Sequence, residues 1–320
     1  MIQSLAILIT YYNEKELLTA CLESLRVQTV MPDEIMVYDD CSTFPAVDYL
    51  PNNFPLQIKV LRGSENKKPA FGRNLLMEET SCTYIHFQDA DDLFKPNYVE
   101  KIKQLIAKHQ YDIIINNIEI HKIGNPILYS TITTEFLKAN GIDFVQYCIY
   151  GAILPLMSTI RTAYLKEKGG YLGAEILPQS EDYELHARLI GQTSNYFIID
   201  EPLAIQRLRS NSHSSSNQVQ VYTSGLKALK LLRAWLPSIY HKTIAEKAAS
   251  IGTILYNLGS VADAREAWIF AQTEGYKLFG NRNKIFQLLV KIIGIEKSEY
   301  LSRKFQKIKK FAGFNTYESN

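Results

Sequence analysis

The chain opens on an unbroken apolar run, Leu5-Ala6-Ile7-Leu8-Ile9, the pattern of a strand buried on both faces. It stops at Thr10-Tyr11-Tyr12-Asn13, and Asn13 followed by Glu16 reads as a helix cap with its box partner. Leu17, Leu18, Cys21, Leu22 and Leu25 then recur on one helical face. A turn at Pro32-Asp33 leads into a second strand, Glu34 to Tyr38, which ends in Asp39-Asp40-Cys41-Ser42. Leu56 to Leu61 reads as a third strand, Phe71 to Glu79 as a helix and Cys82 to Gln88 as a fourth strand. A helix over Asn97 to His109 and a fifth strand over Asp112 to Asn116 complete the series. This alternation predicts an α/β fold, a mostly parallel sheet wound with right-handed crossovers and flanked by helices.

Beyond residue 117 the pattern loosens. Glu135 to Tyr150 reads as one helix, Ser158 to Arg161 as a strand or turn, and Glu181 to Ile190 as a helix. Tyr196 to Ile199 reads as a strand that Glu201-Pro202 breaks, since proline cannot donate to a ladder. Ser210 to Asn217 is a serine-rich loop, either a linker or a lid over an anionic ligand. From Val221 to Phe311 the spacing is helical, so the expected organisation is a 1–220 domain, halved at 116/117, with an all-helical extension over 221–320. Leu255 to Gly259 followed by Ala262 to Ala271 resembles one tetratricopeptide hairpin, but a plain two-helix packing unit fits as well.

Of the 320 residues, 46% are apolar and 21% charged, an ordinary globular balance. No apolar run approaches the roughly 20 residues of a membrane helix, and Ile2 to Tyr12 lacks the basic start and cleavage site of a signal peptide. The four scattered cysteines show neither metal spacing nor a disulfide framework, which suits a cytoplasmic setting. Charge is uneven. Residues 1–220 hold 19 basic and 26 acidic side chains, and residues 221–320 hold 16 and 7. Lys304, Lys307, Lys309 and Lys310 lie among apolar residues of the tail, as in a helix resting on a membrane surface or one packed on a core with a basic face outward. No basic stripe crosses the folded part, which argues against nucleic acid.

Three predicted strand ends carry polar residues: Thr10-Tyr11-Tyr12-Asn13, Asp39-Asp40 and Asp89-Ala90-Asp91-Asp92. In a parallel sheet they share the carboxyl edge, where such sheets bind ligands. Clustered carboxylates repel unless a cation lies among them, and Mg²⁺ takes one or two carboxylates together with substrate phosphates.

In these segments, and in Glu23-Ser24-Leu25, Gln28-Thr29, Asn66 with Arg73-Asn74, and Glu181-Asp182-Tyr183-Glu184-Leu185 with Arg188, the chain resembles the family-2 glycosyltransferases of GT-A fold over roughly residues 3–215. The resemblance implies a nucleotide-sugar donor, uridine-linked, with Thr10, Tyr12 and Asp39 on base and ribose. Asn13, Asp40, Ala90 and Arg73 would line the same site. Asp89 would face the ribose, Asp91 a Mg²⁺ or Mn²⁺ ion, and Arg207 and Arg209 the phosphates. Asp182 would be the general base and Glu181 would orient the acceptor, a glycan or lipid-linked hydroxyl. Inversion at the sugar carbon follows from one base and one metal. Departures from the family pattern are Lys68 and Cys41 in place of glycines, Gly72 in place of alanine, and Arg209 in place of histidine, with His213 a nearby substitute. Two alternatives are a sugar-phosphate nucleotidyltransferase, which Thr10 to Lys15 disfavours by lacking glycine, and a degenerate nucleotide-binding protein, which would be expected to lose Asp91 or Asp182.

Overall fold

The structure, a computed structural model, describes residues 3–122, 128–130, 133–151, 153–208, 217–276 and 283–311. It forms two compact units, Met1–Tyr240 and His241–Asn320.

The first unit begins β1 (Leu5–Tyr11), α1 (Glu16–Arg26), β2 (Glu34–Asp39), β3 (Ile58–Arg62), α2 (Lys68–Glu79), β4 (Tyr84–Asp89), the short β5 (Leu93–Phe94) and α3 (Tyr98–Lys108). It continues with β6 (Ile113–Lys122), β7 (Leu128–Ser130), α4 (Thr134–Ala139), α5 (Phe144–Tyr150), β8 (Ser158–Arg161), α6 (Thr162–Glu167), α7 (Glu181–Ile190), β9 (Tyr196–Leu208) and α8 (Gln218–Trp235). The strands make one sheet in the order β3-β2-β1-β4-β8-β6-β9-β5, with β7 added to β6. The half β3-β2-β1-β4 is parallel throughout. The other half is mixed: β8 runs antiparallel to both β4 and β6, and β9 is parallel to β6.

Leu5 to Ile9 are fully buried, as a central strand covered on both faces requires. Leu18, Cys21, Leu22 and Leu25 bury the inner face of α1 against them. Register then fixes chemistry: Thr10 lies opposite Asp89 on one side of β1, and Tyr11 opposite Asp39 on the other.

Three local expectations change. Asn13 does not cap α1. Its backbone is left-handed, its N–H donates to Ser42 Oγ at 3.0 Å, and its Oδ1 accepts from Phe44 N–H at 3.3 Å, so it stitches two strand-end loops together. The stretch 134–150 is two helices. Gly141 turns the chain at φ +61°, and Asp143 with Gln146 forms a capping box for α5. Pro202 does not break β9. The ladder slips at Asn116 and Asn117, and the Asn117 amide donates to the Ile199 and Asp200 carbonyls at 3.2 and 3.0 Å. A bulge with a side-chain donor thus carries the strand past the residue that lacks an N–H.

In the second unit, α9 (His241–Asn257) and α10 (Val261–Thr273) form a hairpin. A Cβ at Gly252 would stand 2.5 Å from Trp268 Nε1, so the close approach needs glycine there. The helices α11 (Lys284–Ile293) and α12 (Ile295–Phe311) follow, and Arg303 of α12 donates to the Tyr256 and Asn257 carbonyls at the end of α9.

Candidate active site

The carboxyl edge of β1 and β4 meets the start of α7 through one side chain. Arg73, on α2, is 3% exposed. Its Nη2 donates to Asp89 Oδ1 at 2.8 Å and its Nη1 to Glu181 Oε1 at 3.0 Å. Thr10 Oγ1 donates to the same Asp89 oxygen at 3.1 Å. Burial opposes the arginine's charge, but Asp89, Tyr171 and Glu181 more than offset this and raise its pKa. The guanidinium lies 5.1 Å from the ring centroid of Tyr171. That ring is placed by Asn74, whose side chain exchanges two 2.8 Å hydrogen bonds with the Tyr171 backbone. Arg188 supports the approach to Tyr171 by donating to the Lys168 and Gly170 carbonyls while it pairs with buried Glu184.

Asp182 follows Glu181 in the first turn of α7 and keeps partial access to water. Its carboxyl pKa is pushed up to about 7, first by burial and then by the Glu181 charge. Arg73 and the Tyr183 N–H, which donates to Oδ1 at 2.7 Å, pull in the opposite direction, and Asp89 adds to the rise. Thr10, Arg73, Asp89, Glu181 and Asp182 are therefore one electrostatic unit drawn from four elements.

Asp39 and Asp40 serve their own loops. Asp39 is buried and accepts from the Ser42 and Ala46 N–H groups at 2.8 and 3.0 Å and from Arg62 at 3.2 Å. Asp40 accepts from the Lys67 and Lys68 N–H groups at 2.8 and 2.9 Å. That fork holds Lys68 at φ +71°, a left-handed conformation that glycine adopts freely and lysine does not. Next to it an open cleft of about 540 Å³ runs past Asn66, Lys67, Phe71 and Tyr171. Tyr12 is 45% exposed at the rim of β1, its ring free to stack on a flat ligand.

Gly72 has a steric reason to replace alanine. A Cβ there would stand 2.3 Å from Tyr38 Cδ1, and one at Gly63 would stand 2.4 Å from the Tyr38 hydroxyl. The Tyr38 ring fills the space that these two glycines leave.

The loop after β4 is tied from β9. The Arg207 backbone N–H donates to Asp92 Oδ1 at 2.9 Å, and its guanidinium donates to the Asp91 and Leu17 carbonyls. Arg207 thus lies against the loop with its nitrogens on main-chain oxygens. Ala90, also buried, donates its N–H to the Thr10 carbonyl at 3.2 Å. Burial raises the pKa of Asp92 well above the carboxylate range, and Asp91 and Asp89 raise it further. Among the described residues no group of three or more His, Cys, Asp and Glu side chains forms a cation cage. An oxygen-only set led by Asp91 in an acidic loop still fits Mg²⁺ or Mn²⁺, which use one or two carboxylates and complete their shell with phosphates and water. Arg209 and His213 lie outside the described residues.

Sequence reading missed the partnership of Arg73 with Glu181 and the placement of Tyr171. No spacing rule links positions 108 residues apart. The nearest signal was that Arg73, Asn74 and Glu181 all fall in motif positions.

The fold has solved counterparts. TarS 1-349 of S. aureus, crystallised in complex with UDP-GlcNAc, is 18% identical with a TM-score of 0.71, covering 95% of this chain and 92% of that one. The mannosyltransferase PcManGT from Pyrobaculum calidifontis, in complex with GDP-Man and Mn2+, is 11% identical with a TM-score of 0.58, covering 96% and 88%. The likeness places the fold in the GT-A class. The sequence model of Glycosyl transferase family 2 matches residues 6–167, just over half of the 320 residues, and the chain belongs to that family. An uncharacterized glycosyltransferase of Haemophilus influenzae is 28% identical over 233 residues, 72% of this chain and 76% of that protein. A teichoic acid poly(glycerol phosphate) polymerase of Staphylococcus epidermidis is 34% identical over 91 residues, but the chain spans only 13% of that longer protein.

Proposed function

We propose that this glycosyltransferase moves a sugar from a uridine-linked nucleotide donor to a hydroxyl of a glycan or lipid-linked acceptor, with inversion and with a divalent metal, in cell-surface polysaccharide synthesis on the cytoplasmic side. One observation carries the reading: Arg73 ties the strand-end Asp89 to Glu181, beside an Asp182 whose proton affinity is matched to neutral pH.

That geometry supports a set of roles for the residues around it. Tyr12 stacks on the base. Thr10, Asn13, Asp39, Asp40 and Ala90 shape the rim around base and ribose, and Asp89, steadied by Arg73, faces the ribose. When bound at Asp91, Mg²⁺ or Mn²⁺ would neutralise the departing diphosphate, and Arg207, which braces the Asp91 loop, and Arg209 would add positive charge for it. Asp182 accepts the acceptor's hydroxyl proton as that oxygen bonds to the anomeric carbon from the face opposite the leaving group. The electron pair of the broken bond leaves on the diphosphate oxygen. A carboxyl titrating near the working pH is well suited to this exchange. Glu181, held by Arg73, orients the acceptor. The named ligand of TarS and the polymerase relative support a uridine donor and a surface polymer.

The test is a thermal-shift series with UDP-, GDP- and dTDP-sugars, with Mn²⁺, Mg²⁺ or EDTA. A ligand that binds only the folded state raises the melting temperature by mass action. UDP-sugars should stabilise the protein only with metal, and NMR of the product should show an inverted anomeric carbon. Stabilisation by GDP- or dTDP-sugars alone would reassign the donor. Equal stabilisation in EDTA removes the metal. Retention of configuration removes the single displacement. Binding without turnover on any acceptor leaves a nucleotide-binding protein.

A further inference from the structure

We propose that the second unit carries a docking face for an anionic lipid bilayer, formed by Ile285, Leu288 and Ile292 of α11 and edged by Lys284 and Lys291. The helix has a single buried residue, Phe286. Ile285, Leu288 and Ile292 are 73%, 57% and 68% exposed. At about 100° per residue these three fall within a stripe roughly 60° wide, and the two lysines, seven residues apart, run along its Leu288 edge. The helix is fixed at both ends. Asn283 Oδ1 accepts from Phe286 N–H at 2.9 Å, and Gly294 turns the chain out at φ +79°.

Charge identifies the occupant. Residues 284–311 hold eight basic and two acidic side chains. Both acids are engaged within the unit: Glu296 pairs with Arg265 at 2.7 Å, and Glu299, 3% exposed, accepts from Thr253 at 3.2 Å. Phe305 of α12, which follows Lys304 in the chain, is also apolar and 68% exposed. Aliphatic residues with a lysine rim are the composition of helices that lie in a bilayer interface, the lysine stems reaching along the apolar surface to anionic headgroups. No helix among the described residues is long and apolar enough to cross a membrane. A second copy fits this face less well. An antiparallel symmetric contact would bring the lysine edges together, and in either arrangement three aliphatic side chains fall far short of the ~800 Å² per partner of a stable interface. The proposal deepens the reading of a lipid-linked acceptor, but its test needs neither donor nor acceptor, so the two can fail separately.

The full chain is floated with phosphatidylcholine vesicles, with and without about 30% phosphatidylglycerol. Two variants are run beside it: Ile285→Ser/Leu288→Ser/Ile292→Ser and Lys284→Glu/Lys291→Glu. Melting curves show that each is folded. The expected result is binding at least about tenfold stronger to anionic vesicles, lost in the triple serine variant. In the charge variant it should weaken by roughly fivefold or more per lysine, and for the parent chain it should fall at high salt. Equal or absent binding to both vesicle types overturns the proposal, as does unchanged binding by the triple variant. Light scattering that finds a dimer for the parent chain and a monomer for the triple variant assigns the face to a second copy instead.

Discussion

Arg73 and Glu181 lie 108 residues apart and meet at 3.0 Å, with the arginine's other nitrogen on Asp89 at 2.8 Å. One buried guanidinium therefore determines where the start of α7 stands relative to the end of β4. Removing it leaves Asp89 and Glu181 facing each other without a counter-charge. Breaking a buried pair costs about 3–5 kcal/mol, and the lower end applies here because Asp89 is one-third open to water. Arg73→Ala should lose roughly 3 kcal/mol in urea unfolding. Arg73→Met/Glu181→Gln should lose less than Arg73→Ala. Equal losses would mean that the deficit comes from packing on Tyr171, not from charge.

Asp182→Asn keeps size and loses basicity. Transfer should fall by about 10²–10⁴-fold, the usual contribution of a general base, while donor binding persists. Glu181→Gln, which weakens the hold of Arg73 on the α7 start, should reduce turnover less. Turnover and UDP affinity measured for both variants decide the assignment. Near-normal transfer by Asp182→Asn moves the base elsewhere.

The raised Asp182 pKa has two consequences in opposite senses. Activity needs the deprotonated form, so the acid limb of the turnover profile should centre near pH 7 and vanish in Asp182→Asn. For stability, an unfolded aspartate releases its proton near about pH 3.9, whereas the folded one holds it to about 7. The folded state thus binds more protons across that window, and stability falls as pH rises through it. Without ligands, Asp182→Asn should melt higher than the parent chain at pH 8 and match it near pH 4. A gap that is the same at both pH values would mean that Asp182 titrates normally.

Asp91→Ala should abolish Mn²⁺-dependent UDP binding in calorimetry and leave the melting temperature nearly unchanged or raised, because it relieves the repulsion that burdens Asp92. Undiminished metal-dependent affinity in the folded variant would place the ion on another residue.

The sequence disclosed most of the parallel half because its strands are apolar runs that end abruptly in polar residues. Leu5 to Ile9 followed by Thr10, and Tyr84 to Phe87 followed by Asp89, leave little freedom of register. The second half was less legible where side chains substitute for backbone donors. Pro202 signals a break, and only the Asn117 amide on the far strand removes it. Asn13 has the identity of a cap, but Ser42 and Phe44 compete for it across the loops. Within the site the members were visible individually. Their assembly through Arg73 was not, since it is a tertiary contact without local periodicity.

Tyr38 and the glycine at 72 are coupled by the space between them. The ring occupies the volume that a methyl group at position 72 would need, so the two positions are epistatic. Gly72→Ala on its own should cost about 1–3 kcal/mol by overpacking. Tyr38→Val/Gly72→Ala should recover much of that, and a double-mutant cycle in denaturant would give the coupling directly. The full ring at position 38 and a methyl group at position 72 therefore compete for one volume, and the effect of changing either residue depends on which residue stands at the other.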